Sequence, residues 1–131
     1  MTITALYAGV LAPIYVLLAV RVIANRRRAK IALGDGGEPA MLRCMRVQAN
    51  FAEYVPLALI LMGLAENLGT PGFVLHLAGI ALVAGRALHA YGVSQECEVF
   101  TYRVTGMALT FTTILGLGAA CLIGSLARSM A

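Results

Sequence analysis

The sequence predicts an all-α integral membrane protein, a single four-helix bundle over residues 1–131. Three observations carry this. The 131 residues are 60% apolar and only 12% charged, with a mean hydropathy of +0.86, whereas a soluble domain holds about 25% charged residues. Four apolar segments, at about 3–24, 45–66, 72–92 and 104–127, are each long enough to cross a core of roughly 30 Å at about 1.5 Å per helical residue. A backbone in hydrocarbon must satisfy its own polar groups, so these segments are expected as helices.

The first segment contains Pro13. It is too long for the apolar core of a signal peptide and has no basic stretch before it, so it reads as a retained span. The first connection, 25–44, is the one long loop. It opens with Arg26, Arg27, Arg28 and Lys30, turns through Gly34-Asp35-Gly36-Gly37, and reaches Glu38-Pro39, which reads as the start of the next helix. The second connection, 67–71, is tight: Gly69 suits a helix end and Pro71 a helix start. The third, 93–102, carries Glu96 and Glu98 ahead of Arg103.

Basic residues cluster at loops one and three, while the opposite side has Arg128 near the chain end. The positive-inside rule then predicts that loops one and three are cytoplasmic and both termini lie outside. The excess of positive charge, +4, is local to these loops, so it speaks to topology and not to a nucleic-acid partner. Cys44, Cys97 and Cys121 have no metal spacing and no CxxC, and their odd count argues against a disulfide framework. No metal is expected. Cys121 reads as inert core, and Cys44 and Cys97 as flanking the spans. Small residues recur at four-residue spacing at Ala5 and Gly9, Ala81 and Gly85, and Gly116, Ala120 and Gly124. Such rows serve close packing within one chain as well as a subunit interface.

The chemistry concentrates in 46–56. On a helix, Arg46, Asn50 and Glu53 fall within roughly 60° of one another, with Tyr54 beside them and Gln48 pointing elsewhere. Pro56 is expected to kink this helix. Charges in a membrane helix cost about 2.5–3.5 kcal/mol each at mid-bilayer, so they are expected to face a bundle interior or cavity and act there. Arg86, His89 and Tyr91 close the third segment at the same membrane end, Arg103 with Tyr102 and Thr105 opens the fourth, and Arg21 leaves the first. Arginine forks suit carboxylates. Glu53 could accept an ammonium or hold Arg46. A polar, multi-carboxylate ligand from the cytoplasm would meet an apolar one from a lipid-facing groove. Plainer readings remain open: arginines that snorkel to headgroups, an Arg46–Glu53 ion pair, and a packing role for His89. His76, at the other end, stands apart from this site. A small proton-coupled transporter would need Glu53 as its coupling carboxylate.

The pattern Arg46-x-Gln48-x-Asn50-x-x-Glu53-Tyr54-x-Pro56 resembles the second-helix signature of the membrane-associated proteins in eicosanoid and glutathione metabolism. It is nearest in pattern to leukotriene C synthase and the microsomal glutathione transferases. The run Arg86-x-x-His89-Ala90-x-Gly92 and the run Arg103-x-x-Gly106 resemble that family's third and fourth helices, and Leu33-Gly34-Asp35-Gly36-Gly37 its bacterial branch. The resemblance covers essentially the whole chain. It implies a homotrimer in the bacterial inner membrane, with glutathione as co-substrate between neighbouring subunits near the cytoplasmic face. Arg46, Gln48, Asn50, Glu53 and Tyr54 would form the glutathione site, joined by Arg86, His89 and Tyr91. Arg46 would hold a carboxylate, Glu53 would meet the amino group, and Arg103 would stabilise the thiolate. The implied function is a glutathione-dependent transferase or peroxidase acting on hydrophobic electrophiles or lipid hydroperoxides. The eicosanoid synthases carry a tyrosine pair late in the third helix, where this chain reads Leu88-His89-Ala90-Tyr91-Gly92-Val93. The family also contains a non-enzymatic lipid binder, the five-lipoxygenase activating protein. A non-catalytic lipid- or thiol-binding protein of the same fold is therefore the alternative.

Overall fold

The computed structural model describes residues 1–97 and 99–130; Glu98, read above as part of the third connection, lies outside the described residues. Four helices run in sequence: α1 (Thr2–Ala29), α2 (Pro39–Asn67), α3 (Gly72–Ser94) and α4 (Phe100–Ser129). All four are long and apolar enough to cross a membrane. No strand is present among the described residues.

Each helix is longer than its apolar core suggested, because polar turns extend it at the loop ends. α1 continues through Arg26, Arg27 and Arg28 to a left-handed C-cap at Lys30, φ 55°. The three arginines sit where the helix dipole favours positive charge. α2 begins at Pro39, a proline in the first turn, so Cys44 lies inside the helix and is buried instead of flanking it. α2 then runs unbroken through Pro56, as α1 does through Pro13. Gly69, at φ 92°, turns the chain into α3 at Pro71.

α2 packs against all three other helices, and α3 with α4 forms the most extensive pair. The interior is two apolar clusters stacked along the bundle. Tyr7, Met62, Ala65, Leu75 and Leu117 form one. Leu11, Phe51, Val55, Ala58 and Leu82 form the other. Outward faces stay apolar, with Leu17, Ile80, Leu115 and Leu122 exposed, as a hydrocarbon solvent requires. Apolar burial gives no net drive between helices in lipid, so close backbone approach matters. It is closest between Gly85 of α3 and Gly106 of α4: a Cβ on Gly106 would stand 2.6 Å from the Gly85 carbonyl oxygen and 2.6 Å from the His89 nitrogen. Gly9 and Gly116, by contrast, have nothing within 4 Å of a built Cβ, so packing within the chain does not account for them. Thr110 and Thr113 are buried, and their hydroxyls donate to the carbonyls of Gly106 and Leu109 one turn back.

The two ends of the bundle differ. At the end holding the α2–α3 turn, Glu66 of α2 caps α1 from outside. Its carboxylate accepts from Ile3 N (3.0 Å), Thr4 N (2.9 Å) and the Thr4 hydroxyl (2.7 Å), and it lies 3.7 Å from the Met1 ammonium. These are the orphan donors of the first turn of α1, which has no side-chain cap of its own. Arg128 donates to the Asn67 carbonyl at 2.8 Å, closing the C-terminus of α2. His76 is at this end too, with Nδ1 3.1 Å from the Tyr7 hydroxyl, which also donates to the His76 carbonyl. The other end gathers the arginines.

Candidate functional site

Three helices converge at the arginine end on a cavity of about 270 Å³. On α2, Arg43, Arg46 and Asn50 line it; their spacing of three and four residues puts them on one helical face. α3 contributes His89 and Val93, one turn apart, and α4 contributes Arg103 from its first turn.

Behind the cavity wall stands Arg86, 2% exposed. Its Nη1 donates to Asn50 Oδ1 at 2.6 Å. Its Nη2 reaches the Gly106 carbonyl at 3.4 Å and Met107 Sδ at 3.5 Å. The guanidinium lies 5.9 Å from the centre of the Tyr54 ring, a cation–π distance, and Tyr54 in turn meets Phe111 edge to face at 5.4 Å. Nε of Arg86 has no hydrogen-bond partner. An arginine can only donate, so the Asn50 carboxamide must present its oxygen to Arg86. Its NH2 is then the group left for the cavity that Asn50 lines. Among the described residues the polar lining is rich in donors: three guanidinium groups and an amide NH2, with the His89 imidazole beside them. Such a set fits carboxylate or phosphate oxygens, and guanidinium forks can take them bidentately.

The structure divides the expected site residues into three groups. Arg46, Asn50, His89 and Arg103 meet at the cavity. Arg86 and Tyr54 back Asn50 without lining it. Gln48, Glu53 and Tyr91 look elsewhere. Gln48 donates to the Tyr15 hydroxyl on α1 at 3.2 Å, Glu53 is exposed on the outer surface of α2, and Tyr91 is 57% exposed, packed edge to face on Tyr102 at 5.6 Å. Arg46 and Glu53, both described, form no ion pair with each other. Arg43 is the residue that the motif did not single out. Its signal was present, three residues before Arg46 on the same stripe.

Beside Gln48, an apolar groove of about 560 Å³ opens between α1 and α2, lined by Leu11, Tyr15, Phe51, Val55 and Pro56 among others. Among the described residues no three His, Cys, Asp or Glu side chains gather to hold a metal ion.

The family model of the MAPEG family matches residues 4–123, nearly the whole of this arrangement. The chain belongs to the MAPEG family. It is also 34% identical over 113 residues to the inner membrane protein YecN of Escherichia coli K12, covering 86% of this chain and 85% of that protein. The YecN of Escherichia coli O6:H1 strain CFT073 matches to the same extent. As a MAPEG member with four apolar helices, the chain is a multi-pass membrane protein. In this family setting the second-helix residues Arg46 and Asn50, the third-helix His89 and the fourth-helix Arg103 border one space, although they are far apart in sequence.

Proposed function

We propose that the protein is a glutathione-dependent transferase or peroxidase of the inner membrane, acting on hydrophobic electrophiles or lipid hydroperoxides. The observation that carries this reading is the arginine-rich cavity between α2, α3 and α4 in a MAPEG chain. Glutathione brings two carboxylates. Arg46 and Arg43 take one, and the Asn50 NH2, fixed by Arg86, takes a ligand oxygen. Arg103, which lines the same cavity, would stabilise the thiolate: a nearby guanidinium favours the anionic form of a thiol, and the thiolate is the nucleophile. In transfer, the sulfur forms a bond to the electrophilic carbon, the leaving group departs with its electron pair, and the thiol proton goes to solvent. The protein supplies orientation and charge stabilisation.

The cavity falls below the roughly 300–1,000 Å³ of ordinary small-molecule pockets. A tripeptide would extend past it, and Gln48 and Glu53 lie outside it. Both facts favour a homotrimer in which a neighbouring copy completes the site, with Gln48 and Glu53 serving across the interface. The arginine end faces the cytoplasm in this reading, in keeping with the positive-inside rule, and both termini face outward. The apolar groove at Tyr15 and Phe51 suits a lipophilic co-substrate. The same groove is what supports the second reading, a non-catalytic lipid or thiol binder.

The test is conjugation of a chlorinated aromatic, and reduction of a lipid hydroperoxide, by purified protein with glutathione. Turnover in the wild type that is lost in Arg103→Ala supports the enzyme. Glutathione binding without turnover on either substrate class selects the binder.

A further inference from the structure

A second polar cleft lies at the arginine end, on the other side of Arg43. It has a volume of about 390 Å³ and is bounded by α1, the start of α2 and the end of α3. α1 buries no residue after Leu11; Ile14 and Leu18 still pack on the core, and beyond them α1 meets the bundle through polar side chains. Arg21, Asn25 and Arg28 of α1 line this space. Arg43 enters from α2, and Ser94 and Glu96 from the end of α3. Arg21 is fixed across the gap, donating through Nη1 to the Ser94 hydroxyl at 2.8 Å, and that hydroxyl donates to the Ala90 carbonyl at 2.6 Å. The Asn25 NH2 is turned to the Arg21 carbonyl at 2.9 Å and to Cys44 Sγ at 3.2 Å. Among the described residues, three arginines stand against one carboxylate, Glu96, at the mouth of the helices.

We propose that this cleft binds a phosphate group, presented by the headgroup of an anionic phospholipid. Guanidinium forks converging from two helices match phosphate oxygens bidentately. Basic pockets between transmembrane helices at the membrane surface are suited to such headgroups. Each of these arginines retains unused donors, since each guanidinium carries five. Glu96 opposes the anion and sets the limit on affinity. The site is independent of the proposed glutathione chemistry: Arg21 and Arg28 do not line the α2–α3–α4 cavity, and Arg43, which borders both, is left intact in the test.

Native mass spectrometry of the detergent-purified protein, titrated with phosphatidylglycerol or phosphatidylcholine, reads binding directly. The wild type is expected to retain phosphatidylglycerol in preference to phosphatidylcholine. Arg28→Ala should weaken that retention about tenfold, in line with losing one charge-assisted contact. Arg27→Ala, an equal loss of charge one residue away and outside the cleft, should leave it unchanged, and Glu96→Gln should strengthen it. Inorganic phosphate at millimolar concentration distinguishes the source. Binding of phosphate with the same Arg28 dependence, and none of phosphatidylglycerol, would assign the cleft to a soluble phosphate. Equal losses in Arg27→Ala and Arg28→Ala, or no preference over phosphatidylcholine together with no phosphate binding, would overturn the proposal.

Discussion

Asn50 and Arg86 show how one contact can set the chemistry of a site. Arg86 is buried in the bundle with a neutral amide as its nearest acceptor, so the pair is coupled in both directions. Asn50→Leu strands a guanidinium in a low-dielectric interior, and thermal unfolding should show a loss of about 1–3 kcal/mol or more. Arg86→Met removes the charge and its lock together. It is expected to weaken glutathione binding more than it lowers stability, because the Asn50 amide becomes free to turn. Equal effects of the two variants on ligand affinity and stability would deny Arg86 a positioning role. The stripe Arg46–Asn50–Glu53 was legible from helical spacing, but its members do not share a fate: Asn50 lines the cavity and Glu53 is exposed. A helical wheel gives direction about an axis, and only the neighbours on α3 and α4 decide which edge of the stripe they cover. Helical spacing likewise does not show that Arg86 reaches the site through Asn50, which it contacts from within the bundle.

Among the elements, α3 and α4 are held at backbone distance by two glycines. Gly106→Ala would push a methyl group into the Gly85 carbonyl and His89. Overpacking of this kind typically costs about 1–3 kcal/mol, and here it would also displace His89 from the cavity. Loss of stability and of glutathione binding should appear together in this variant, measured by thermal unfolding and by ligand titration. α1 depends on a device that no local pattern revealed. The carboxylate of Glu66 serves the first turn of a helix more than sixty residues earlier. Glu66→Ala should lower the unfolding temperature, and Glu66→Gln, which keeps an acceptor oxygen, should lower it less. If the two were equal, charge and not capping would be the dominant contribution. Helix existence and order were readable because hydropathy and length decide them in a bilayer. The ends were legible only in part: Glu38-Pro39 marked the start of α2, whereas the Arg26–Arg28 turn extends α1 beyond its apolar core, where the helix dipole favours positive charge.

For the molecule as a whole, the two ends have separate work. One end closes the bundle through Glu66, Arg128 and the Tyr7–His76 contact, and the other collects arginines around two polar spaces. The proposed trimer would account for the open faces at Gly9 and Gly116 and for Gln48 and Glu53 standing outside the cavity. Mass determination in a mild detergent should therefore return three copies, and a monomer there would leave Glu53 with no part in the ligand site. The measurement that tests the central claim most directly is the unfolding temperature of the detergent-purified protein with and without millimolar glutathione, in wild type and Arg46→Ala. A ligand at 100 times its dissociation constant stabilises the folded state by about 2.7 kcal/mol, a readily measured shift. The account predicts a glutathione-dependent rise in the wild type that is absent in Arg46→Ala. No rise at saturating glutathione, or an equal rise in the variant, would contradict a glutathione site at the α2 arginines.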